Sequence, residues 1–122
     1  MGGLNRSILA GRLVADPETR YTSKETAVTS FRLAINRNGN EKADFINCVA
    51  WSNLAKICGE FLKKGRMVAV EGRLQIRSYK DKKGQARSAA EIIVENMQML
   101  DSKFYGAAVK SGENKEKEMI EI

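Results

Sequence analysis

The chain has 122 residues, 21 Lys and Arg against 15 Asp and Glu, a net charge of +6, and no histidine. The missing histidine removes the commonest general base, the Ser-His and Cys-His nucleophile pairs and most zinc sites. We therefore expect no enzyme, no catalytic residues, no metal and no cofactor. The positive excess lies in residues 1–100 and favours an anionic partner such as nucleic acid or phosphate.

Apolar runs are short throughout the chain. None reaches the roughly 18 residues of a transmembrane helix, and the apolar stretch near the N-terminus is too short for a signal peptide. These patterns predict a cytoplasmic protein with no membrane partner. The two cysteines, Cys48 and Cys58, stand among apolar neighbours, which predicts buried, reduced thiols.

Five strands and one helix are predicted from the hydrophobic periodicity. They are strands over 4–14, 28–36 and 44–51, a helix over 52–65, and strands over 66–79 and 88–100. This order, with one helix between the third and fourth strands, is that of the OB-fold, an all-β, five-stranded Greek-key barrel that often binds oligonucleotides. We expect one domain over 1–104 and a short, flexible, charged tail over 105–122.

The predicted helix has a clear apolar stripe. Its members follow the i, i+3, i+4 spacing and are Leu54, Ile57, Cys58, Phe61 and Leu62. Ser52 or Asn53 can cap its start, and Gly65 suits the left-handed residue after its end. Gly59 inside the helix costs about 1 kcal/mol relative to alanine, which predicts close packing at that point.

Strict alternation gives the strand over 44–51 two different faces. Phe45, Asn47, Val49 and Trp51 fall on one face, and Ile46, Cys48 and Ala50 fall on the other. In the strand over 28–36, the residues expected to point inward are Phe31, Leu33 and Ile35, with Arg32 on the opposite side. The two largest aromatics of 44–51 therefore share a face with an asparagine.

Aromatic and cationic side chains also coincide on the strand over 66–79. One face carries Arg73, Gln75, Arg77 and Tyr79, and the loops over 36–43 and 80–87 on either side are basic. Unpaired bases stack on aromatic rings while cations follow the phosphates, at about 1–3 kcal/mol of stacking energy per base. These ingredients predict a surface for single-stranded nucleic acid.

Simpler interpretations stay open at this point. Phe45 and Trp51 could belong to the core, as most aromatics in strands do. Arg73 and Arg77 could be solvated charges paired with Glu71 or Glu91. The lysines of the 80–87 loop, which are Lys80, Lys82 and Lys83, could be an ordinary solvated loop.

Successive blocks of the sequence resemble the bacterial single-stranded DNA-binding protein family. They are "LNRSILAGRLVADPETRYT", "SFRLAINR", "DFINCVAW", "FLKKGRMVAVEGRLQIRSY" and "DKKGQARSAAEIIVENMQML", and they cover residues 4–100 in order. The resemblance implies an OB-fold that assembles as a homotetramer. It also implies sequence-independent binding and protection of single-stranded DNA at the nucleoid during replication, recombination and repair.

The resemblance also assigns roles to individual positions. The stacking aromatics fall on Phe45, Trp51 and Tyr79. Phosphate contacts fall on Arg6, Arg73 and Arg77, with Arg37, Lys82 and Arg87 in the loops. We also expect contacts to phosphates or bases from neighbouring polar and basic residues, which are Arg32, Asn47, Gln75, Lys80 and Lys83.

The sequence departs from the family pattern at two places. The family often has another stacking aromatic after the "NR" of the second strand, where this chain has Asn38 and Gly39. The family also ends in an acidic tip with Pro-Phe, whereas this chain ends in "EKEMIEI". We therefore do not expect recruitment of replication and repair proteins by that route.

An alternative interpretation keeps the OB-fold and changes the partner. RNA, or a protein in a primosome-type assembly, could occupy the same surface, because no residue reads a 2′-hydroxyl specifically.

Overall fold

A ring of five strands with one helix forms the body of the chain. The structure is a computed structural model that describes residues 2–38, 42–100, 108–110 and 113–114. In chain order, its strands are β1 Ser7–Leu13, β2 Glu18–Tyr21, β3 Ala27–Asn36, β4 Ala43–Trp51, β5 Met67–Lys80, β6 Ala86–Met99, β7 Ala108–Lys110 and β8 Glu113–Asn114. Helix α1, Ser52–Phe61, lies between β4 and β5.

Strand pairing closes the ring. β1 pairs antiparallel with both β3 and β5, β3 with β4, and β5 with β6, while β4 and β6 pair in parallel. Each of these five strands thus has a partner on both edges, as in the OB-fold. The predicted fold, with its helix between the third and fourth strands of the barrel, is confirmed. β2 pairs with the edge of β3 away from β4.

The core fills the ring, and α1 packs against it. The largest fully buried side chains include Leu33, Val68 and Val70, and α1 contributes Leu54, Ala55 and Cys58. Phe31 and Leu33 are buried as predicted, and Ile35 packs against the core. Both cysteines are buried and free, which confirms the expected reduced thiols.

Helix α1 is shorter than predicted and begins differently. It ends at Phe61, and Leu62 is extended but still buried, with its backbone N–H donating to Cys58 O. The N-cap residue is Trp51, and no side chain caps the helix, so the prediction of a cap at Ser52 or Asn53 was wrong. The reason is that Ser52, with φ 58°, forms the sharp turn that leads directly from β4 into the helix.

Two glycines show close packing or a special backbone conformation. Gly65 has the predicted left-handed conformation, φ +88°, which glycine adopts without steric cost, but it lies in the Lys63–Arg66 turn and does not end the helix, whose C-cap is Leu62. A Cβ on Gly59 would collide with Thr19 Oγ1 of β2. The helix therefore approaches β2 closely at this position.

A β-bulge in β6 shifts the phase of its side chains. Glu71 pairs with Asn96 and Gly72 pairs with Val94, so Glu95 has no partner on β5. Val94 is buried before the bulge and Met97 after it. The extra residue thus turns odd-numbered side chains inward beyond the bulge, and this is why the alternation of the sequence blurs after Val94.

Part of the predicted tail is described. Ala108–Lys110 pairs with β6 at Asn96–Gln98, and Glu113–Asn114 pairs with Ala108–Lys110. The remainder of the predicted 105–122 tail lies outside the described residues, so the domain boundary at 104 stays a prediction. In the part of the chain that the structure covers, no helix has the length and hydropathy to cross a bilayer.

Candidate functional site

The outward face of β4 carries the two aromatics that the sequence singled out. Phe45 is 51% exposed and Trp51 is 46% exposed, whereas Cys48 and Ala50 on the opposite face are fully buried. Strand alternation therefore directs the small residues into the barrel and the aromatics to its surface. The interpretation of Phe45 and Trp51 as core residues is excluded.

Strand register places polar side chains in rows beside these aromatics. Asn47 of β4 lies opposite Glu91 of β6, which lies opposite Gln75 of β5. In the next row, Val49 of β4 lies opposite Ile93 of β6, which lies opposite Arg73 of β5. Because directly opposite residues project from the same face of a sheet, β4, β6 and β5 present one continuous surface. We call this surface the aromatic face.

Two adjoining hollows open on the aromatic face around Trp51. The first, about 440 Å³, extends from Trp51 toward Arg20 and Tyr21 of β2. The second, about 690 Å³, extends toward Arg73 and Gln75 of β5. Trp51, Arg77 and Glu91 line both. The indole therefore stands between two concave surfaces of a size that can receive flat ligand groups.

Two of the three predicted stacking rings carry an arginine. The guanidinium of Arg32 lies 5.0 Å from the ring centroid of Phe45, and that of Arg77 lies 5.6 Å from the ring centroid of Tyr79. Both distances are within the range of cation–π attraction. A guanidinium is flat and stacks well, so each pair forms a platform of ring and cation.

Two arginines of β5, at the edge of the aromatic face that we call its β5 side, lie close to carboxylates. Arg73 Nε lies 3.7 Å from Glu95, and Arg77 Nε lies 3.6 Å from Glu91. The second contact confirms the sequence-based alternative that paired Arg77 with Glu91, whereas Glu71 pairs with Arg6 at 2.6 Å. These two arginines lie on the aromatic face, each with a carboxylate within 4 Å.

The hairpin between β5 and β6 is organised by Asp81. Its Oδ1 accepts hydrogen bonds from the backbone N–H of Lys83 and Gln85, at 2.9 and 3.0 Å, and its Oδ2 lies 3.0 Å from Arg87 Nε. The bond from Arg87, followed by that from Gln85, lowers the pKa of Asp81. The acidic residue thus fixes the loop, from which Lys80, Lys82 and Lys83 project into solvent.

Like the hairpin lysines, three predicted arginine contacts do not join the rows across β4. Arg6 is engaged by Glu71, and Arg87 by Asp81. Arg37 follows β3 and donates from Nε and Nη2 to Asp44 Oδ1, a hydrogen bond that raises the pKa of the guanidinium. Asn38 is exposed, and Gly39, where the family aromatic was expected, lies outside the described residues.

Sequence reasoning missed Arg12 of β1 and Arg20 of β2. Both are exposed. Arg12 lies opposite Ala34 of β3, and Arg20 lies opposite Val28, a buried residue that lines the hollow beside Trp51. Alternation within β1, where Leu13 is buried, indicates that Arg12 faces out. Only the register across β3 shows that these arginines border the aromatic face. Within the described residues, no group of His, Cys, Asp and Glu side chains could hold a metal ion.

Comparison with known proteins agrees with this geometry. The model of the single-strand binding protein family matches residues 4–100. Single-stranded DNA-binding protein A of Bacillus subtilis is 45% identical over 116 residues, covering 91% of this chain and 67% of that protein. Single-stranded DNA-binding protein 2 of Listeria monocytogenes is 43% identical over 120 residues, covering 92% and 75%. The chain therefore belongs to the single-strand binding protein family.

Proposed function

We propose that the protein binds single-stranded DNA without sequence preference and protects it during replication, recombination and repair. The observation that carries this proposal is the exposure of Phe45 and Trp51 on a barrel surface bordered by arginines. Base stacking on such rings contributes about 1–3 kcal/mol per base and tolerates any sequence. Duplex DNA hides its base faces, so the same surface selects single strands.

We assign the stacking role to Phe45, Trp51 and Tyr79. Polar and cationic contacts to the strand come from Arg32, Asn47, Arg73, Gln75 and Arg77 on the barrel, from Lys80, Lys82, Lys83 and Arg87 on the hairpin, and from Arg6 and Arg37 at the margins. Arg6, Arg37 and Arg87, which are held by carboxylates, must exchange that partner before they bind phosphate. The protein acts by binding alone, in the cytoplasm, at nucleoid DNA.

A homotetramer is also part of the proposal. Large apolar side chains lie exposed on β1 and on the β5–β6 hairpin, among them Ile8 at 70% and Ile76 at 60%. Association between copies of the chain would bury this apolar surface. Sedimentation at micromolar concentration tests this part, and a monomer there would contradict it without touching the DNA-binding proposal.

The intrinsic fluorescence of Trp51 gives the direct test, because the chain has one tryptophan. Oligo(dT) should quench the emission at low salt, whereas duplex DNA of equal length should leave it unchanged. A matched RNA oligonucleotide, added as a competitor, reports the preference between the two nucleic acids. Unchanged emission with every single strand would contradict the stacking role of Trp51.

A gel-shift series with strands of graded length complements the fluorescence. It should show binding above a minimum length, and that length reports the site size. Retention of duplex DNA with equal affinity would contradict selection of single strands.

A further inference from the structure

The arginines that border the aromatic face differ in their electrostatic partners on its two sides. On the β5 side, Arg73 and Arg77 each have a carboxylate oxygen within 4 Å. On the β3 side, Arg12, Arg20 and Arg32 have no carboxylate within that distance among the residues that the structure describes. With Glu18 of β2, which lies opposite Ser30 in the row of Val49, the β3 side keeps a net charge of +2. Along the same length, Arg73 and Arg77 on the β5 side are balanced by Glu91 and Glu95.

Register aligns these three arginines with the outward residues of β4. Arg12 lies opposite Ala34 of β3, which lies opposite Phe45. At the other end, Arg20 lies opposite Val28, which lies opposite Trp51.

Arg32, in the middle of β3, lies directly opposite Asn47. With about 5 Å between neighbouring strands, Arg32 is one strand and Arg12 and Arg20 are two strands from β4. The three arginines, which we call the arginine track, follow β3 from the row of Phe45 to the row of Trp51.

The arginine track is as long as the distance between Phe45 and Trp51 along β4. From the Arg12 row to the Arg20 row β3 advances from Ala34 to Val28, which is about 20 Å at 3.3 Å per residue. The same interval separates Phe45 from Trp51 on β4. A strand whose bases stack along β4 therefore has cations beside it over that whole distance.

Two of the arginines are held in place without losing their charge. Arg12 Nη1 donates to the backbone carbonyl of Gly65 at 3.0 Å, which leaves other guanidinium donors free for a phosphate. Arg32 rests over the ring of Phe45. Neither contact neutralises the guanidinium, in contrast to the ion pairs of Arg73 and Arg77.

We propose that the sugar–phosphate backbone of a bound strand runs along the β3 side, on Arg12, Arg32 and Arg20. The base edges then point toward Asn47, Glu91 and Gln75. A phosphate on the opposite side would meet Glu91 and Glu95, which repel it, whereas a carboxylate and two amides suit the hydrogen-bonding groups of bases. This inference rests on the proposed function and adds the direction in which the strand lies.

Salt dependence of binding separates the two sides. Each phosphate that a cation neutralises on a single strand contributes about 0.7 to the slope of log K against log salt. For oligo(dT), the magnitude of this slope should therefore be smaller by about 2 in the R12A/R20A/R32A variant than in the wild type. R73A/R77A, which removes the same type of side chain from the β5 side, should lose less than about 0.7.

A lysine variant controls for folding and for charge. R12K/R20K/R32K keeps the three cations and should keep the slope, and thermal melts of all variants show that the barrel is intact. An unchanged slope in R12A/R20A/R32A, or an equal loss in R73A/R77A, would overturn the proposed direction of the strand. If the triple alanine variant did not fold, loss of slope in the three single alanine variants would decide the question.

Failure of the underlying function would look different. In that case the wild-type protein would not bind oligo(dT) at low salt, and no slope could be measured for any variant, so both proposals would fall together.

Discussion

The hydroxyl of Thr29 donates a 2.6 Å hydrogen bond to the backbone carbonyl of Ala55. It also lies 2.8 Å from the hydroxyl of Thr19, which donates to it because the Thr29 proton is already used. Thr29 is fully buried, so one side chain of β3 joins β2 and α1. This junction fixes the helix that follows directly on Trp51.

Replacing Thr29 by valine should destabilise the fold. The change removes both hydrogen bonds while nearly conserving volume, and the expected loss is about 1–3 kcal/mol of unfolding free energy. Urea denaturation measures it. T19V removes only the more exposed of the two bonds and should cost less. Equal losses, or no loss in Thr29→Val, would contradict the role of this junction.

Alanine at Gly72 should disturb the bulge between β5 and β6. A Cβ there would collide with the backbone carbonyl oxygen of Ile93, which can move only with its strand. We expect G72A to cost about 1–3 kcal/mol of unfolding free energy. Gly3, where a Cβ meets nothing within 4 Å, provides the matched control G3A. Similar melting temperatures for G72A and wild type would show that the hairpin absorbs the extra atom.

The buried thiols should make stability fall at high pH. Burial raises the pKa of both Cys48 and Cys58 from 9.0 to about 12. Below pH 9 the thiols are protonated in the folded and unfolded chain alike, so their contribution is fully present. Between pH 9 and 12 the unfolded chain releases protons that the folded chain keeps. Each thiol then lowers stability by about 1.4 kcal/mol per pH unit.

Urea midpoints at a series of pH values test this expectation. C58A should reduce the slope by about 1.4 kcal/mol per pH unit relative to the wild type, since only the Cys58 contribution is removed. Identical slopes in both proteins would show that Cys58 is not the titrating group.

The charged form of Asp81 should hold the hairpin loop. Its pKa lies below the ordinary value of 3.8 because of Arg87 and the backbone N–H of Gln85. The stabilising effect is therefore present above pH 3.8 and is lost as the pH falls through the lowered pKa. Amide exchange at Lys83 and Gln85 reports it, and D81A should abolish the protection.

D81N separates the two functions of this side chain. It keeps an oxygen acceptor for the two amides but loses the ion pair with Arg87, so its exchange rates should be intermediate. D16N, which alters the carboxylate that binds Lys64 N–H, should leave the hairpin unaffected. Fast exchange in wild type at neutral pH would contradict the organised loop.

Removing the indole of Trp51 should weaken DNA binding without changing its salt dependence. A stacking loss of about 1–3 kcal/mol corresponds to a decrease in affinity of about 5- to 150-fold. Anisotropy of a labelled oligo(dT) measures it. Phe61, exposed on α1 and outside the aromatic face, supplies the control F61A. Equal affinities for wild type and W51A would remove Trp51 from the site.

Period-two alternation predicted the faces of β4 correctly, because Cys48 and Ala50 on one side are fully buried and a shift of one residue would expose them. The end of α1 was not predictable in this way. Leu62 continues the apolar spacing of the helix and is buried, yet it is extended. A hydrophobic pattern reports burial, and here burial continues one residue beyond the helical backbone.

The β3 side of the candidate site was not predictable from local patterns. Arg12 and Arg20 come from different strands, and only their pairing with β3 brings them beside the aromatic row. The proximity of Glu91 to Arg77 likewise depends on the register of β5 with β6. Charge composition indicated a basic surface, but tertiary pairing decides where its net charge lies.

Glu95, which has no strand partner on β5, bears on how this sequence can vary during evolution. Loss of its codon would restore unbroken alternation and keep Met97 and Met99 inside, because they lie opposite the buried Val70 and Val68. Substitution at position 95 removes the carboxylate near Arg73 and leaves the buried face unchanged. Both changes therefore spare the core, and selection at this position acts on the bend that the bulge gives to β6 and on the charge beside Arg73.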